Sequence, residues 1–229
     1  MLNMIKLDWI GMKCYHKRFI IIPCAILLYG FFLAPIIIPF MAFFMLSFSV
    51  NPFAVEEKGK LDNLYLTLPV TRRMIVNARY GLSLFMQFIG FTTGTVVTII
   101  YAKLLYGRTT FGITHSFNAG FSEMFLIICG SLLLYAIMNL SSFPVLFKIG
   151  YAKGRGLGFY VPAIGFAVVV STVYILWYVN DTFQKFVSSA VEWAFANTVW
   201  TAALLLAGAV LILALSYMIS QKVYATREF

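Results

Sequence analysis

Long apolar runs, separated by short polar segments, dominate the chain. About 17–25 consecutive apolar residues allow a helix to cross the roughly 30 Å hydrocarbon core of a bilayer. Four uncharged stretches have this length, and each is predicted to form one transmembrane helix. These stretches are Gly81–Ala102, Met124–Phe147, Phe159–Val179 and Val199–Ser220.

The first apolar stretch, Phe19–Val55, is too long for one crossing and just long enough for two. Pro35 and Pro39 interrupt it, and proline inside a helix breaks or kinks that helix. A tight hairpin turn is therefore predicted near Gly30–Pro35, dividing residues 19–55 into two spans. The chain then has six transmembrane helices.

The distribution of basic residues supports this count independently. Lysine and arginine accumulate in the short cytoplasmic loops of membrane proteins. With six spans, 14 of the 17 Lys and Arg residues fall on one side, and only Lys103, Arg108 and Lys185 fall on the other. A five-span chain would place one basic flank of residues 19–55 on the wrong side. Both termini are therefore predicted to be cytoplasmic.

The composition excludes several classes of protein. The 229 residues are 62% hydrophobic and 11% charged, whereas a soluble domain has about 25% charged residues. So few charges could not cover the surface of a protein in water. A soluble enzyme, a disordered protein and a nucleic-acid-binding module are all ruled out.

The N-terminal residues 1–18 have the pattern of an amphipathic helix. Ile5 and Trp9 fall on one face, and Lys6 and Lys13 fall on another. Such a helix is typical of a segment that lies in the membrane interface with its lysines on anionic lipid. The alternative is that these residues are only the charged start of the first span.

Residues 56–80 are too polar to cross the membrane but are patterned as helices. The residue before a proline avoids helical geometry, so Pro69 is predicted to end a first short helix. Thr71 is a plausible N-cap for a second helix, which runs into the third span. This segment is predicted to lie on the cytoplasmic face, where an apolar edge needs a protein partner. The apolar positions of the first helix, at helical spacing, are Leu61, Leu64, Tyr65 and Leu68.

Residues 180–198 are predicted to form a second amphipathic helix, on the outer side of the membrane. Phe183 and Val187 fall on one face, and Asp181 and Lys185 fall opposite them. This separation favours a helix on, or dipping into, the outer leaflet. The alternative is a loop with chance patterning.

Two glycine patterns are interpreted as structural features rather than as binding sites. Gly90 and Gly94 form a GxxxG pair, which allows close helix packing within the chain or between two chains. The glycine-rich stretch Lys148–Gly158 lacks the preceding strand and spacing of a dinucleotide-binding fingerprint. It is predicted to be a flexible basic turn on the cytoplasmic side.

The sequence contains no recognisable catalytic or metal-binding set. His16 and His115 are predicted to lie on opposite sides of the membrane, and no P-loop pattern is present. Glu56 and Glu57 leave a membrane enzyme open as an alternative, although no histidine lies in a neighbouring apolar helix. Energy for any transport would therefore have to come from a partner on the cytoplasmic face.

The six spans, the tight first hairpin and the stretch LDNLYLTLPVTRRMIVNARY resemble the small membrane subunits of ABC-2 type exporters. Members of that group often have a Leu-Pro-Val-Thr/Ser-Arg-like stretch between spans two and three, here Leu68–Arg73. The topology matches over the whole chain, and the motif covers about twenty residues. Among subgroups, the chain looks like Gram-positive permeases that pair with separate ATPases, including phenol-soluble-modulin and antimicrobial-peptide exporters.

The resemblance implies an all-α membrane protein with the ABC-2 (type V-like) exporter fold, located in the bacterial plasma membrane. Two permeases, either identical or different, would work with two ABC ATPase subunits and move a hydrophobic or amphipathic substrate out of the cell. That substrate could be a peptide, a lipid or an antibiotic. This chain would bind no cofactor itself, because ATP and Mg²⁺ belong to the ATPase. The alternative is a non-transporting membrane anchor or sensor that recruits a cytoplasmic ATPase or kinase.

The resemblance also implies roles for particular residues. The family couples its ATPase to the segment between spans two and three, and its substrate path runs between two permeases. The predicted ATPase-coupling residues are Glu57, Leu61, Leu64, Tyr65, Leu68, Pro69, Thr71, Arg72 and Arg73. The predicted path residues are Phe40, Phe43, Phe44, Ser47, Phe166, Val170 and Tyr174.

Overall fold

The computed structural model describes residues 10, 37–59, 71–105, 109–110, 113–114 and 120–226. Apart from one pair of two-residue strands, β1 (Thr109–Thr110) and β2 (Ile113–Thr114), its elements are helical. The helices are α1 (Ile37–Ser49), α2 (Asn51–Gly59), α3 (Arg72–Leu105), α4 (Phe121–Arg155), a π-helical turn (Gly156–Tyr160), α5 (Val161–Val179), α6 (Asp181–Ala196) and α7 (Thr198–Ala225).

Four helical segments of the described chain are long and apolar enough to cross a membrane. They are Ile37–Gly59, which joins α1 and α2, then Arg72–Leu104, Phe121–Gly154 and Thr198–Ala225. The last three contain the predicted spans that begin at Gly81, Met124 and Val199. The predicted fifth span overlaps α5. Within α5, the apolar segment Ala167–Val179 is shorter than the four helical segments that are long enough to cross a membrane. The predicted hairpin near Gly30–Pro35 and the N-terminal amphipathic helix lie outside the described residues, so six spans stay a prediction.

The break between α1 and α2 is at Val50, and Pro52 explains it. Proline has no N–H to donate to the preceding turn, and its ring disfavours helical geometry in the residue before it. The amide of Phe53 instead bonds to the carbonyl of Val50 at 3.1 Å, in a tight turn. The prediction that Pro39 interrupts the helix is wrong, because Pro39 lies inside α1.

Residues 148–158 are mainly helical, so the prediction of a flexible turn there is wrong. Helix α4 extends to Arg155 and passes directly into the π-helical turn. One residue, Gly150, departs from helical geometry with φ 78° and ψ 180°. This left-handed conformation is accessible to glycine at little cost, because glycine has no Cβ. The glycines of the segment thus permit a sharp break in a helix rather than a loop.

Helices α1, α3, α4 and α7 pack together as a bundle, and α4 and α7 share the most extensive contact. An aromatic core fills the end of this bundle near the start of α3. The ring centroids of Phe53 and Phe147 lie 4.9 Å apart, and those of Tyr80 and Phe143 also lie 4.9 Å apart. Each such pair contributes roughly 0.5–1.5 kcal/mol beyond burial. The core therefore fixes the relative positions of the helix ends that surround it.

The GxxxG pair of α3 packs against α1 within the same chain. A Cβ atom added at Gly94 would lie 3.2 Å from the Cα atom of Ile38, and one added at Gly90 would lie 2.8 Å from Cγ of Met45. Both glycines therefore let the two helix backbones approach closely. The sequence left open whether this contact forms within or between chains, and the structure places it within the chain.

Replacing Gly94 with leucine is expected to destabilise the protein by about 1–3 kcal/mol, because the backbone of Ile38 cannot move aside as a side-chain end would. The matched control is Gly130→Leu on α4, where no atom lies within 4 Å of an added Cβ. Thermal unfolding of the two variants in the same detergent measures the difference. An equal loss of stability at both positions would contradict the close α1–α3 contact.

Helices α5 and α6 lie largely outside this bundle. Every side chain of α5 that the structure describes is exposed, including Tyr174 at 70%. Helix α6 covers most of the predicted amphipathic segment, so its helical form is confirmed. The side-chain oxygen of Asn180 caps it, accepting hydrogen bonds from the amides of Thr182 and Phe183. A pair of apolar and amphipathic helices is thus attached to the bundle at the end of α4 and at the start of α7.

Candidate functional site

A buried ion pair lies at the end of the bundle where α2 finishes and α3 begins. Nη2 of Arg79 donates a hydrogen bond to Oε2 of Glu56 at 2.9 Å. The two side chains are only 1% and 8% exposed, and the guanidinium carbon lies 4.7 Å from the ring centre of Phe53. The sequence assigned both charges to a polar cytoplasmic segment. The structure instead places them between helices, where each charge compensates the other.

Glu57, a predicted ATPase-coupling residue, binds helix α4. Ala152 follows the break at Gly150 by two residues. Its amide donates a hydrogen bond to Oε2 of Glu57 at 2.7 Å. A carboxylate is also favoured there because backbone amides at the start of a helical segment carry a partial positive charge. The end of α2 is therefore attached to the junction between α4 and α5.

A cleft of about 410 Å³ lies beside this contact. Its walls come from the last turn of α2 and from the helical residues on either side of Ala152. Glu57 and Lys58 supply its charged groups, and Tyr151 supplies an aromatic wall. The junction is thus open on one side and leaves room for the two helix ends to shift.

Two predicted coupling residues begin helix α3. Oγ1 of Thr71 accepts a hydrogen bond from the amide of Met74 at 3.3 Å, which confirms Thr71 as the N-cap. Nη1 of Arg72 donates to the carbonyl oxygen of Ala225 at 2.6 Å, and to that of Tyr224 at 3.4 Å. A cation at the last carbonyls of a helix stabilises the helix end. The start of α3 is therefore bound to the end of α7.

The other predicted coupling residues divide into two groups. Arg73 lies exposed on α3, next to Arg72. The remaining five lie outside the described residues, and their role stays a prediction. These five are Leu61, Leu64, Tyr65, Leu68 and Pro69.

The predicted path residues lie on two helices that a single chain does not bring together. Among the described residues, α1 and α5 share no extended contact. Phe40 is 57% exposed, and the ring of Phe44 packs edge-on against Phe48 at 4.8 Å. Phe43 and Ser47 on α1 are half-buried, while Phe166, Val170 and Tyr174 belong to α5. The path is predicted to lie between two permeases, so their role as path residues stays a prediction.

A polar network inside the bundle was missed by the sequence analysis. The hydroxyl of Tyr80 lies 2.7 Å from Oγ of Ser216 and 2.9 Å from Oγ of Ser220. Oγ of Ser216 donates to the side-chain carbonyl of Asn139 at 3.1 Å. The amide nitrogen of Asn139 in turn lies 3.4 Å from Oγ of Ser83. The network joins α3, α4 and α7.

The sequence did contain a signal for this network. Ser216 and Ser220 are four residues apart in an apolar helix, and so are Tyr135 and Asn139. Tyr135 belongs to the network because its hydroxyl lies 2.7 Å from Oγ of Ser83. Polar residues at this spacing share one helix face and usually bond across to other helices in membrane proteins. Each such bond averages about 0.6 kcal/mol, so several of them hold the three helices together as one body.

A metal site is not found in the part of the chain that the structure describes, where no three His, Cys, Asp or Glu side chains cluster. The contacts described above at this end of the bundle join one helix to another.

Comparison with protein families decides the identity. Residues 3–225 match the family described as ABC-2 family transporter protein. The chain belongs to this family. The match confirms the resemblance to ABC-2 type permeases. Comparisons with curated proteins and with solved structures give no match.

As an ABC-2 permease, the chain is a multi-pass membrane protein, which agrees with its four long apolar helices. ABC-2 permeases are transport subunits without an ATPase site of their own. The family also implies that the chain pairs with an ABC ATPase subunit. Residues 60–70, which join α2 to α3, lie within the predicted ATPase-coupling segment Glu57–Arg73, whose role stays a prediction.

Proposed function

We propose that this permease is the membrane subunit of an ATP-driven exporter in the bacterial plasma membrane. It would have six spans with both termini in the cytoplasm. Two permease copies and two ATPase subunits, each encoded separately, would form the working transporter. The substrate would be hydrophobic or amphipathic, such as a peptide, a lipid or an antibiotic. ATP and Mg²⁺ would be bound by the ATPase alone.

The contacts on both sides of residues 60–70 support this proposal most directly. On one side, Glu57 binds the amide of Ala152 in α4. On the other, Arg72 binds the last carbonyls of α7. An ATPase that moves residues 60–70 would therefore act on α4 through Glu57 and on α7 through Arg72.

The bend that would respond to such a displacement lies at the junction of α4 and α5. The polar network and the aromatic core hold α3, α4 and α7 together, so these helices would move as one body. Gly150 and the π-helical turn interrupt regular helix geometry just before α5. A displacement that reaches Ala152 would therefore change the angle of α5 more readily than that of the bundle.

The exposed surface of α5 supports a second copy of the permease. Its described side chains include Val169 at 60% and Tyr178 at 83% exposure. In a pair of permeases, α5 and α1 of facing copies could line one path. Phe40 and Tyr174 would then contact the substrate, as the family resemblance implies.

Replacing Glu57 with alanine is expected to lower ATP-dependent export several-fold while ATPase binding stays unchanged. The variant loses the acceptor for the amide of Ala152 and with it the attachment of α2 to the junction. Export from proteoliposomes and co-purification of the ATPase, measured on the same preparation, separate the two effects.

The control for this variant is Glu57→Gln. Its amide oxygen can still accept the hydrogen bond from Ala152, so it should retain most of the export. If Glu57→Gln loses as much export as Glu57→Ala, the negative charge matters rather than the contact with α4. The proposed transmission through Ala152 would then be wrong.

The proposed function is tested by purifying the permease from its native membrane and identifying the proteins that accompany it. A P-loop ATPase in roughly equal amount, with ATP-dependent movement of an amphipathic peptide in proteoliposomes, is the expected result. An ATPase or kinase that binds without any flux would instead indicate a membrane anchor. Recovery of the permease without a nucleotide-binding protein would contradict both.

A further inference from the structure

A basic cleft lies between the start of α3 and the end of α7. Its volume is about 300 Å³. Arg72 and Arg73 line it from α3, and Gln221 and Lys222 line it from α7. Val76 and Met218 supply an apolar floor, with Ala225 at the end of the helix. The cleft thus has one polar wall and one apolar wall.

The charge of the cleft is one-sided. Three cations line it, and no carboxylate is among its described lining residues. The carbonyls at the end of α7 are already bonded to Arg72. Arg73 and Lys222 are both exposed, so their charges face the solvent side of the cleft. An anion in the cleft would reduce the repulsion among the three cations.

The apolar floor continues along the outside of α7. Leu211, Leu215 and Met218 are exposed at 65%, 47% and 56%, and they precede Lys222 at steps of four, three and four residues. This spacing places all four residues on one face of the helix. An apolar stripe on a membrane helix therefore leads directly to a cation.

The cleft also lies at the level of the membrane where a lipid headgroup is expected. The predicted span within α7 ends at Ser220. Lys222 follows two residues later, which is about 3 Å further along the helix axis. The headgroup layer begins at the edge of the hydrocarbon core and is several ångströms thick. A phosphate bound by Arg73 and Lys222 would thus lie at the level where lipid phosphates occur.

We propose that this cleft binds one anionic phospholipid, with its phosphate between Arg73 and Lys222 and an acyl chain along Leu211, Leu215 and Met218. Basic pockets between membrane helices are known to take such headgroups. The site lies beside Arg72, so a bound lipid would fill the space next to the contact between α3 and α7. The proposal concerns the permease alone and does not depend on its ATPase.

The test is native mass spectrometry of the full-length permease in detergent, with phosphatidylglycerol or phosphatidylcholine of the same acyl chains. The wild type should retain phosphatidylglycerol preferentially. The double variant Arg73→Gln, Lys222→Gln should lower that preference by about 20-fold to 30-fold, because two cations near an anionic phosphate are lost. Arg72 is left intact because it binds the end of α7.

Two control variants separate the site from general effects. Lys148→Gln with Lys153→Gln removes the same charge from exposed positions outside the cleft, and should keep the preference. Arg73→Lys with Lys222→Arg keeps both charges and should also keep it. Loss of the preference in the first control, or equal retention of both lipids by the wild type, would overturn the proposal.

Inorganic phosphate distinguishes a lipid from a free anion. It offers the same charge without the acyl chain, so millimolar phosphate should not displace the bound phosphatidylglycerol. Displacement at that concentration would show that the cleft takes a free phosphate and would overturn the lipid assignment.

Discussion

Replacing Arg79 with leucine is expected to destabilise the bundle by about 3–5 kcal/mol, the usual cost of leaving one partner of a buried ion pair without the other. Glu56 would remain between α2 and α3 with its partner removed. The contact between the guanidinium and the ring of Phe53 would be lost as well. The change in stability is measured by unfolding each variant in mixed micelles and monitoring the loss of the helix signal.

The double variant Glu56→Leu, Arg79→Leu is the informative comparison. Replacing both members of a buried pair by apolar residues is often close to neutral, because no isolated charge remains. We therefore expect the double variant to be more stable than Arg79→Leu alone. Arg73→Leu, an exposed arginine six residues earlier on the same helix, should change stability little. If the double variant is the least stable of the three, the ion pair itself contributes net stability.

The long apolar spans could be predicted because their signal is local. Each of the stretches beginning at Gly81, Met124 and Val199 is continuous in the sequence, and each forms a helix. Thr71 could be predicted as a cap for the same reason, since a cap bonds to an amide three residues away. Gly90 and Gly94 indicated close packing correctly, but the spacing alone could not identify α1 as the partner.

The break at Gly150 was not predictable from the same rules. A glycine-rich basic stretch is typical of a turn, and only the three-dimensional structure shows helix on both sides of one left-handed residue. The bond between Glu57 and Ala152 lies two residues beyond that break. It joins residues 95 positions apart, so no periodic pattern could reveal it.

The polar contacts of the bundle depend on partners distant in the sequence. Glu56 and Arg79 both occur in a segment that reads as polar, and polarity indicated solvent rather than a buried pair. Tyr80 and Ser216 are 136 residues apart. Polar residues inside apolar helices indicate that some partner exists, but helix packing decides which one.

The second prediction with a large expected effect concerns ATPase binding by the segment between α2 and α3. Its apolar positions Leu64 and Leu68 share one face of the predicted helix that ends at Pro69. If this face rests in the ATPase, replacing both leucines with aspartate should abolish ATPase capture almost completely, because two charges would be placed in an apolar contact. Membrane insertion should be unaffected, since the apolar spans remain unchanged.

The matched control for this variant is Asn63→Asp with Thr67→Asp. It introduces the same two charges at the same spacing, but about 100° around the helix from Leu64 and Leu68. Affinity purification of each variant from the native membrane, with the ATPase quantified relative to the permease, compares them directly. We expect the control to retain the ATPase. If the Leu64 and Leu68 variant captures the ATPase at the wild-type level, this face is not the contact. If both variants lose the ATPase, added negative charge, rather than the loss of the apolar face, prevents binding.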